Sequence, residues 1–197
     1  AKVVYAASAG NWIMRHEPEI WAKTAKYVML PTYLNYKLTG NLIDSASNQI
    51  GHIPFDYKNR RWMKPGSLTR CFCDVPNEKL CDLVPSGTVI GTVTEEVCAL
   101  TGIPAGLPLI STGSDKGCET LGLAVVDSDK ASISLGTTAT IQFSTTQYVE
   151  PQQFLPAYPG VLNDHYNPEI EIYRGLWLLS WFVKEFGTAD AIDAKEM

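Results

Sequence analysis

The sequence predicts an α/β fold, and three stretches carry that prediction. The first lies between Leu107 and Gly122, where an apolar run to Thr112 reads as a buried strand. Gly113-Ser114 interrupts it, and the small residues from Cys118 to Val126, with Gly117 just ahead, read as a helix. In the second, Ala131 to Phe143, two alternating strands meet across Gly136-Thr137-Thr138. The third is the upstream alternation of strand and helix: Tyr27 to Leu30 before a helix from Pro31, and Thr88 to Val93 before a helix capped by Thr94.

Taken in order, the elements begin with helical spacing of Trp12, Ile13, Ile20 and Trp21, which predicts core-facing positions. Glu17-Pro18 restarts the helix and leaves His16 as a solvated loop residue. Pro31 suits a first helical turn, and the helix carrying Tyr33, Leu34 and Leu38 stops at Gly40. A polar cluster from Asp44 to Gln49 follows, in which Asp44 is either a helix cap or a site residue. Lys58 to Arg61 reads as an exposed turn. Prolines and Gly66 give Lys64 to Leu83 a loop-rich path, and Val84-Pro85-Ser86-Gly87 is the clearest break, so a domain boundary is expected there. Glu95 and Glu96 sit well in the first turn of the next helix, which Gly102 closes. Tyr148 to Asn167 reads as an irregular connection, Ile170 to Phe186 as a helix packed on the sheet through Leu176, Leu179, Trp181 and Phe182, and the last residues to Met197 as a helix-compatible tail.

Composition narrows the function. The 197 residues are 45% hydrophobic with a formal net charge of −5, enough apolar material for one or two globular domains. Without Lys/Arg clusters, an acidic chain of this kind predicts neither a nucleic-acid groove nor an anionic membrane surface. The apolar stretches are strand-length, short of the roughly 20 residues a bilayer span needs, and no signal segment opens the chain, so a cytoplasmic protein is expected. The five cysteines lack paired CxxC motifs; Cys71, Cys73 and Cys81 without a nearby His are expected to be free thiols rather than zinc ligands.

The chemistry lies in two turns. The strand-to-helix order places Asp115 at a crossover, where open α/β sheets bind ligands against free backbone donors. A Gly-Thr-Thr turn can aim N–H groups and hydroxyls at an anion. An acid on one turn and an anion cradle on the other point to phosphoryl transfer.

These residues carry a resemblance. GSDKGCETLG followed by ISLGTTATI resembles the FGGY carbohydrate kinase family, xylulokinase-like members of the actin and hexokinase superfamily. Tyr33 to Gly40, Phe55-Asp56 with Trp62, and the run from Leu83 to Ile110 fall in the family's order, so the likeness covers nearly the whole chain. It implies an actin/hexokinase-like, ribonuclease H-like two-domain fold, present in part: residues 1–84 as the end of the sugar-binding domain and 85–197 as the start of the ATP-binding domain. It implies ATP with Mg²⁺ as cofactors and a sugar or polyol as substrate. Asp115 takes the position of the catalytic base, and Gly136, Thr137 and Thr138 that of the phosphate-binding hairpin. Gly175 falls where the backbone approaches the nucleotide. Asp44 lies in a segment that lines the sugar side of the cleft, one residue out of the common spacing.

Lys116 replaces the neutral amide that such relatives carry after the base. It either faces solvent or enters the cleft, where it would contact substrate and hold the Asp115 carboxylate ionised. The family's opening D-x-G-[TS] hairpin and its adenosine-binding glycine segment have no counterpart in these residues, so metal ligands are expected outside this chain and the chain alone is expected to be inactive. A homodimer is compatible with the pattern. The competing readings are a non-catalytic sugar- or nucleotide-binding member of the superfamily, and an acid hydrolase using Asp115 with Asp44, which lacks a second carboxylate at defined spacing. His165, on its loop, has no partner nucleophile motif.

Overall fold

A computed structural model describes residues 8–51, 53–153 and 155–187. The predicted tail beyond residue 187 and the first seven residues lie outside that range. The chain runs through α1 (Ala9–His16), α2 (Pro18–Lys23), α3 (Leu30–Thr39), β1 (Ile43–Ser45), β2 (Phe55–Asp56) and β3 (Arg61–Trp62). It continues with β4 (Asp82–Val84), β5 (Val89–Thr92), α4 (Glu95–Thr101), β6 (Pro108–Ile110), α5 (Asp115–Gly122), β7 (Ala131–Leu135) and β8 (Ala139–Phe143). Three short strands, β9 (Tyr158–Pro159), β10 (Tyr166–Asn167) and β11 (Glu169–Ile172), lead into α6 (Trp177–Phe186).

The helix boundaries follow local chemistry. Pro31 occupies the first turn of α3, and Gly40, at φ +80°, ends it in the left-handed conformation that a side chain resists. Thr94 accepts a hydrogen bond from the Val97 amide at the start of α4. β1 pairs in parallel with β4, Asp44 opposite Leu83, and β5 pairs antiparallel with β6. The largest sheet is β11-β8-β7, all antiparallel.

Two small cores meet at Trp62. Ala46, Ile53 and Phe55 form one, and Cys73, Val75 and Leu80 the other; Trp62 packs against both and donates its indole N–H to the Cys81 carbonyl at 2.8 Å. Phe55 is wholly buried, edge-on to Tyr57 and Trp62 at centroid distances of 5.2 and 5.7 Å. Truncating such a ring to alanine costs about 3–5 kcal/mol. Among the cysteines, Cys73 and Cys81 are buried, and burial pushes both thiols up, Cys81 to about 11.

Several expectations fail, each for a physical reason. Tyr27 to Leu30 forms no strand: the Tyr27 amide reaches the Lys79 carbonyl at 2.7 Å, and Leu30 already belongs to α3. Trp12 and Ile20 are exposed rather than core-facing; Trp12 stacks on His16, which ends α1 instead of lying in a loop. The strand ending at Ile110 is not buried, because its two-stranded ladder leaves Leu107 and Ile110 half exposed. Ile170 lies in a strand, not a helix: β11 pairs with β8, Ile170 opposite Ile141, and the helix starts only at Trp177. That helix has no buried residue, so Leu176, Leu179, Trp181 and Phe182 are not packed on the sheet.

The β7–β8 alternation is inverted relative to the usual rule. Thr140 and Gln142 are the buried positions of β8, facing α5, while Ile133, Leu135 and Ile141 lie on the bare side with Ile133 66% exposed.

Candidate active site

Helix α5 begins three residues earlier than its sequence pattern suggests. Ser114 is its N-cap, accepting from the Gly117 amide at 3.2 Å, so Asp115 is not the cap but the first helical residue. Its carboxylate is exposed and accepts from the Lys116 amide at 2.7 Å. The helix ends at Gly122 rather than Val126.

The turn delivering Asp115 is held from below by hydroxyls. Ser47 and Ser86 both donate to the Thr112 carbonyl, at 3.2 and 3.0 Å, and the Ser114 amide donates to the Ser47 carbonyl at 3.1 Å. Ser45 Oγ lies 2.6 Å from Ser47 Oγ in the same buried cluster. Gly113 must be glycine for space, since a Cβ there would lie 2.6 Å from Val161.

Asp44 is buried next to this cluster. It is 3% exposed; one oxygen accepts from the Thr32 hydroxyl at 2.6 Å, the other from the Ser45 amide at 2.7 Å, and Asn48 Nδ2 approaches both. These bonds tie α3 to β1 and to the one-turn 46–48 helix, which Ser45 caps and which contains Ser47.

The Gly136-Thr137-Thr138 turn is braced through its carbonyls. Gly136 C=O accepts from Leu176 N–H at 3.0 Å, and Thr137 C=O from Gly175 N–H at 2.9 Å and from the Trp177 indole at 3.1 Å. Because each peptide is planar and trans, the N–H opposite each of those carbonyls, that of Thr137 and that of Thr138, points away from the brace. Gly136 and Thr137 are exposed. Two adjacent backbone N–H groups are thus directed away from the 175–177 segment. A Cβ on Gly175 would collide with the Gly136 carbonyl, so the close approach at that glycine is to the turn itself.

The Lys116 side chain is 35% exposed and reaches toward β7. Its ammonium bonds Glu119 Oε2 at 2.9 Å and Ser134 Oγ at 2.8 Å, joining α5 to β7. The Glu119 contact raises its pKa, against partial desolvation, with the Asp115 and Glu169 charges adding to the rise. An open cavity of about 330 Å³ adjoins it, lined by Lys116, Glu119, Ser134, Thr140 and Gln142 among others.

Glu169 escapes the sequence reading. Burial raises its carboxyl pKa above 4.5, with Glu171 and Asp115 adding, while the Thr140 hydroxyl and Lys116 oppose. The alternation of Glu169-Ile170-Glu171-Ile172 is the signal that could have shown two acids on one strand face. Arg60 also departs from its expected surface role: its Nη atoms donate to the Asn163 and His165 carbonyls at 3.1 and 3.0 Å, and its guanidinium lies 4.2 Å over the Tyr166 ring. With Ser47, Ser86, Asn163 and Asp164 it lines a second cavity of about 240 Å³. His165 contributes that carbonyl, and its buried Nδ1 has no partner. Among the described residues no three His, Cys, Asp or Glu side chains are grouped to hold a metal ion, and no helix is long and apolar enough to cross a membrane.

The described residues thus present an exposed carboxylate at the start of α5 and, two residues beyond the Ser134 partner of Lys116, a glycine turn braced through its carbonyls. The fold matches that of the xylulose kinase from Rhodospirillum rubrum with a TM-score of 0.80 at 21% identity, over 98% of this chain and 38% of that one. The family model for the N-terminal domain of the FGGY family of carbohydrate kinases matches residues 2–122. The chain belongs to that family. It is 32% identical over 164 residues to the uncharacterized sugar kinase YgcE of Escherichia coli strain K12, covering 83% of this chain and 33% of that protein. It is 28% identical over 181 residues to the xylulose kinase of the same organism, covering 91% and 36%. The chain thus spans about a third of the length of the curated relatives it matches.

Proposed function

We propose that this chain carries the general base and part of the phosphate site of an ATP-dependent kinase acting on a sugar or polyol hydroxyl. The observation that carries the reading is the exposed Asp115 at the start of α5, cross-linked through Lys116 to Ser134, two residues ahead of the Gly136–Thr138 turn. In the reaction Asp115 accepts the hydroxyl proton as the sugar oxygen bonds to the γ-phosphorus, and the bond from that phosphorus to the ADP oxygen breaks. A positioned base of this kind contributes roughly 10²–10⁴ in rate.

The Thr137 and Thr138 amides, with the Thr hydroxyls, would hold the phosphate, and Gly175 keeps the turn in place. When bound, Mg²⁺ would neutralise charge on the phosphate oxygens. Asp44 enters as a positioning residue for the serine cluster under the base. ATP as co-substrate and free buried thiols agree with a cytoplasmic setting, and the bare apolar sheet face agrees with a homodimer. The sugar-side and nucleotide-side halves have two candidate boundaries, the break at 84/85 and the end of the family match at 122.

The test is a panel of sugars, sugar acids and polyols offered with ATP to a family-length kinase carrying this segment. ADP release that depends on one of them supports the reading. Sugar or nucleotide binding without ADP release across the panel would make this a binding module.

A further inference from the structure

Between α5 and β7 the contacts are two polar rungs. Lys116 Nζ meets Ser134 Oγ at 2.8 Å, and four residues along the helix Thr120 Oγ1 meets Ser132 Oγ at 3.2 Å, with Gln142 as its other partner. Four helical residues advance about 6 Å, and two strand residues about 6.8 Å. The rungs therefore match in pitch, and α5 runs antiparallel along β7. The first rung stands next to Asp115 at one end and two residues from Gly136 at the other.

We infer that Lys116 is a positioning residue, a latch whose ammonium fixes the distance between the base on α5 and the phosphate turn on β7. The inference rests on the phosphoryl-transfer reading for its catalytic consequence, though not for its structural one. A cation is suited to the task because Glu119 holds its charge from one side while a proton remains for the Ser134 hydroxyl. On this inference the ammonium serves placement of the two elements rather than sugar choice. In-line transfer is sensitive to the placement of base and phosphate, and a displacement of about 1 Å can cost up to about 100-fold in rate.

Two measurements test the latch independently. In the chain itself, Lys116→Met and Ser134→Ala should each speed hydrogen exchange of the Gly136, Gly175 and Leu176 amides at least tenfold, with α4 amides unchanged. Unaltered exchange at those three amides overturns the latch whatever the activity. In a family-length kinase carrying this segment, each variant should lower kcat about tenfold with sugar KM within twofold, a modest fraction of the placement effect above. The double variant should be no worse than Lys116→Met, and Lys116→Arg should recover to within threefold. A raised sugar KM at unchanged kcat, or losses that multiply in the double variant, would sink the inference. Asp115→Asn measured beside them reads the base alone, so failure of the base and failure of the latch are separate results.

Discussion

Replacing Gly175 by alanine probes the Gly136–Thr138 turn, the proposed phosphate site, without touching either threonine. The added methyl would occupy space filled by the Gly136 carbonyl and the Thr137 peptide, so the turn must move away. Three hydrogen bonds depend on the present approach: Gly175 N–H to Thr137, Leu176 N–H to Gly136, and the Trp177 indole to Thr137. At a net 0.5–1.5 kcal/mol each, with discount for the exposed indole, their loss costs about 2 kcal/mol. For a chain of this size that is a fall in Tm of about 4–8 °C. The Thr137 and Thr138 amides move with the carbonyls, and losing one hydrogen bond to a charged phosphate, about 1.5–3 kcal/mol, raises the KM for ATP roughly 10- to 100-fold. Calorimetric melting of the chain and steady-state kinetics of a family-length kinase carrying Gly175→Ala measure the two effects. A Tm within 1 °C of wild type together with an unchanged KM for ATP would refute the brace.

Other perturbations reach the rest of the account. Arg60→Ala removes two charge-assisted bonds to loop carbonyls and the Tyr166 contact, and should cost about 2 kcal/mol in denaturant unfolding; an unchanged midpoint would deny the clamp. Because burial raises the Glu169 pKa in the folded chain, its contribution to stability is complete below pH 4.5 and is lost as pH rises through the raised value. Glu169→Gln should flatten the Tm-versus-pH curve over that window, and parallel curves would contradict the assignment. By the same sign, stability from the buried Cys81 thiol is lost from its ordinary value of 9.0 up to about 11, and Cys81→Ala should remove that alkaline step from the melting curve. The open face carrying Ile133, Ile141 and Ile172 should promote self-association of the chain, and Ile133→Lys should shift sedimentation toward monomer; identical distributions would clear that face.

The sequence was most legible where backbone chemistry is punctuated. Gly40, Thr94, Gly102 and the Gly136–Thr138 turn each impose a conformation or cap by themselves, and each stands where it was expected. The Asp115 crossover was legible for the same reason, although Ser114 rather than Asp115 caps the helix. Patterns that depend on a partner surface were misread. The alternation of β7 marks two faces without telling which is covered: its serines meet Lys116 and Thr120, while Ile133 between them is bare. Asp44 illustrates the same limit: its neighbours in sequence are polar, and only the packing of Thr32 and Asn48 around it decides that it is enclosed. Glu169 was lost because the aromatic run after it read as one continuous helix.

The central claim is that Asp115 takes the substrate proton during phosphoryl transfer. Rapid-quench single-turnover kinetics on Asp115→Asn, in a family-length kinase carrying this segment with sugar and ATP prebound, reads that step apart from binding and product release. The account predicts transfer slowed roughly 10²- to 10⁴-fold, with both dissociation constants within threefold of wild type. Transfer at within a few-fold of the wild-type rate would contradict it.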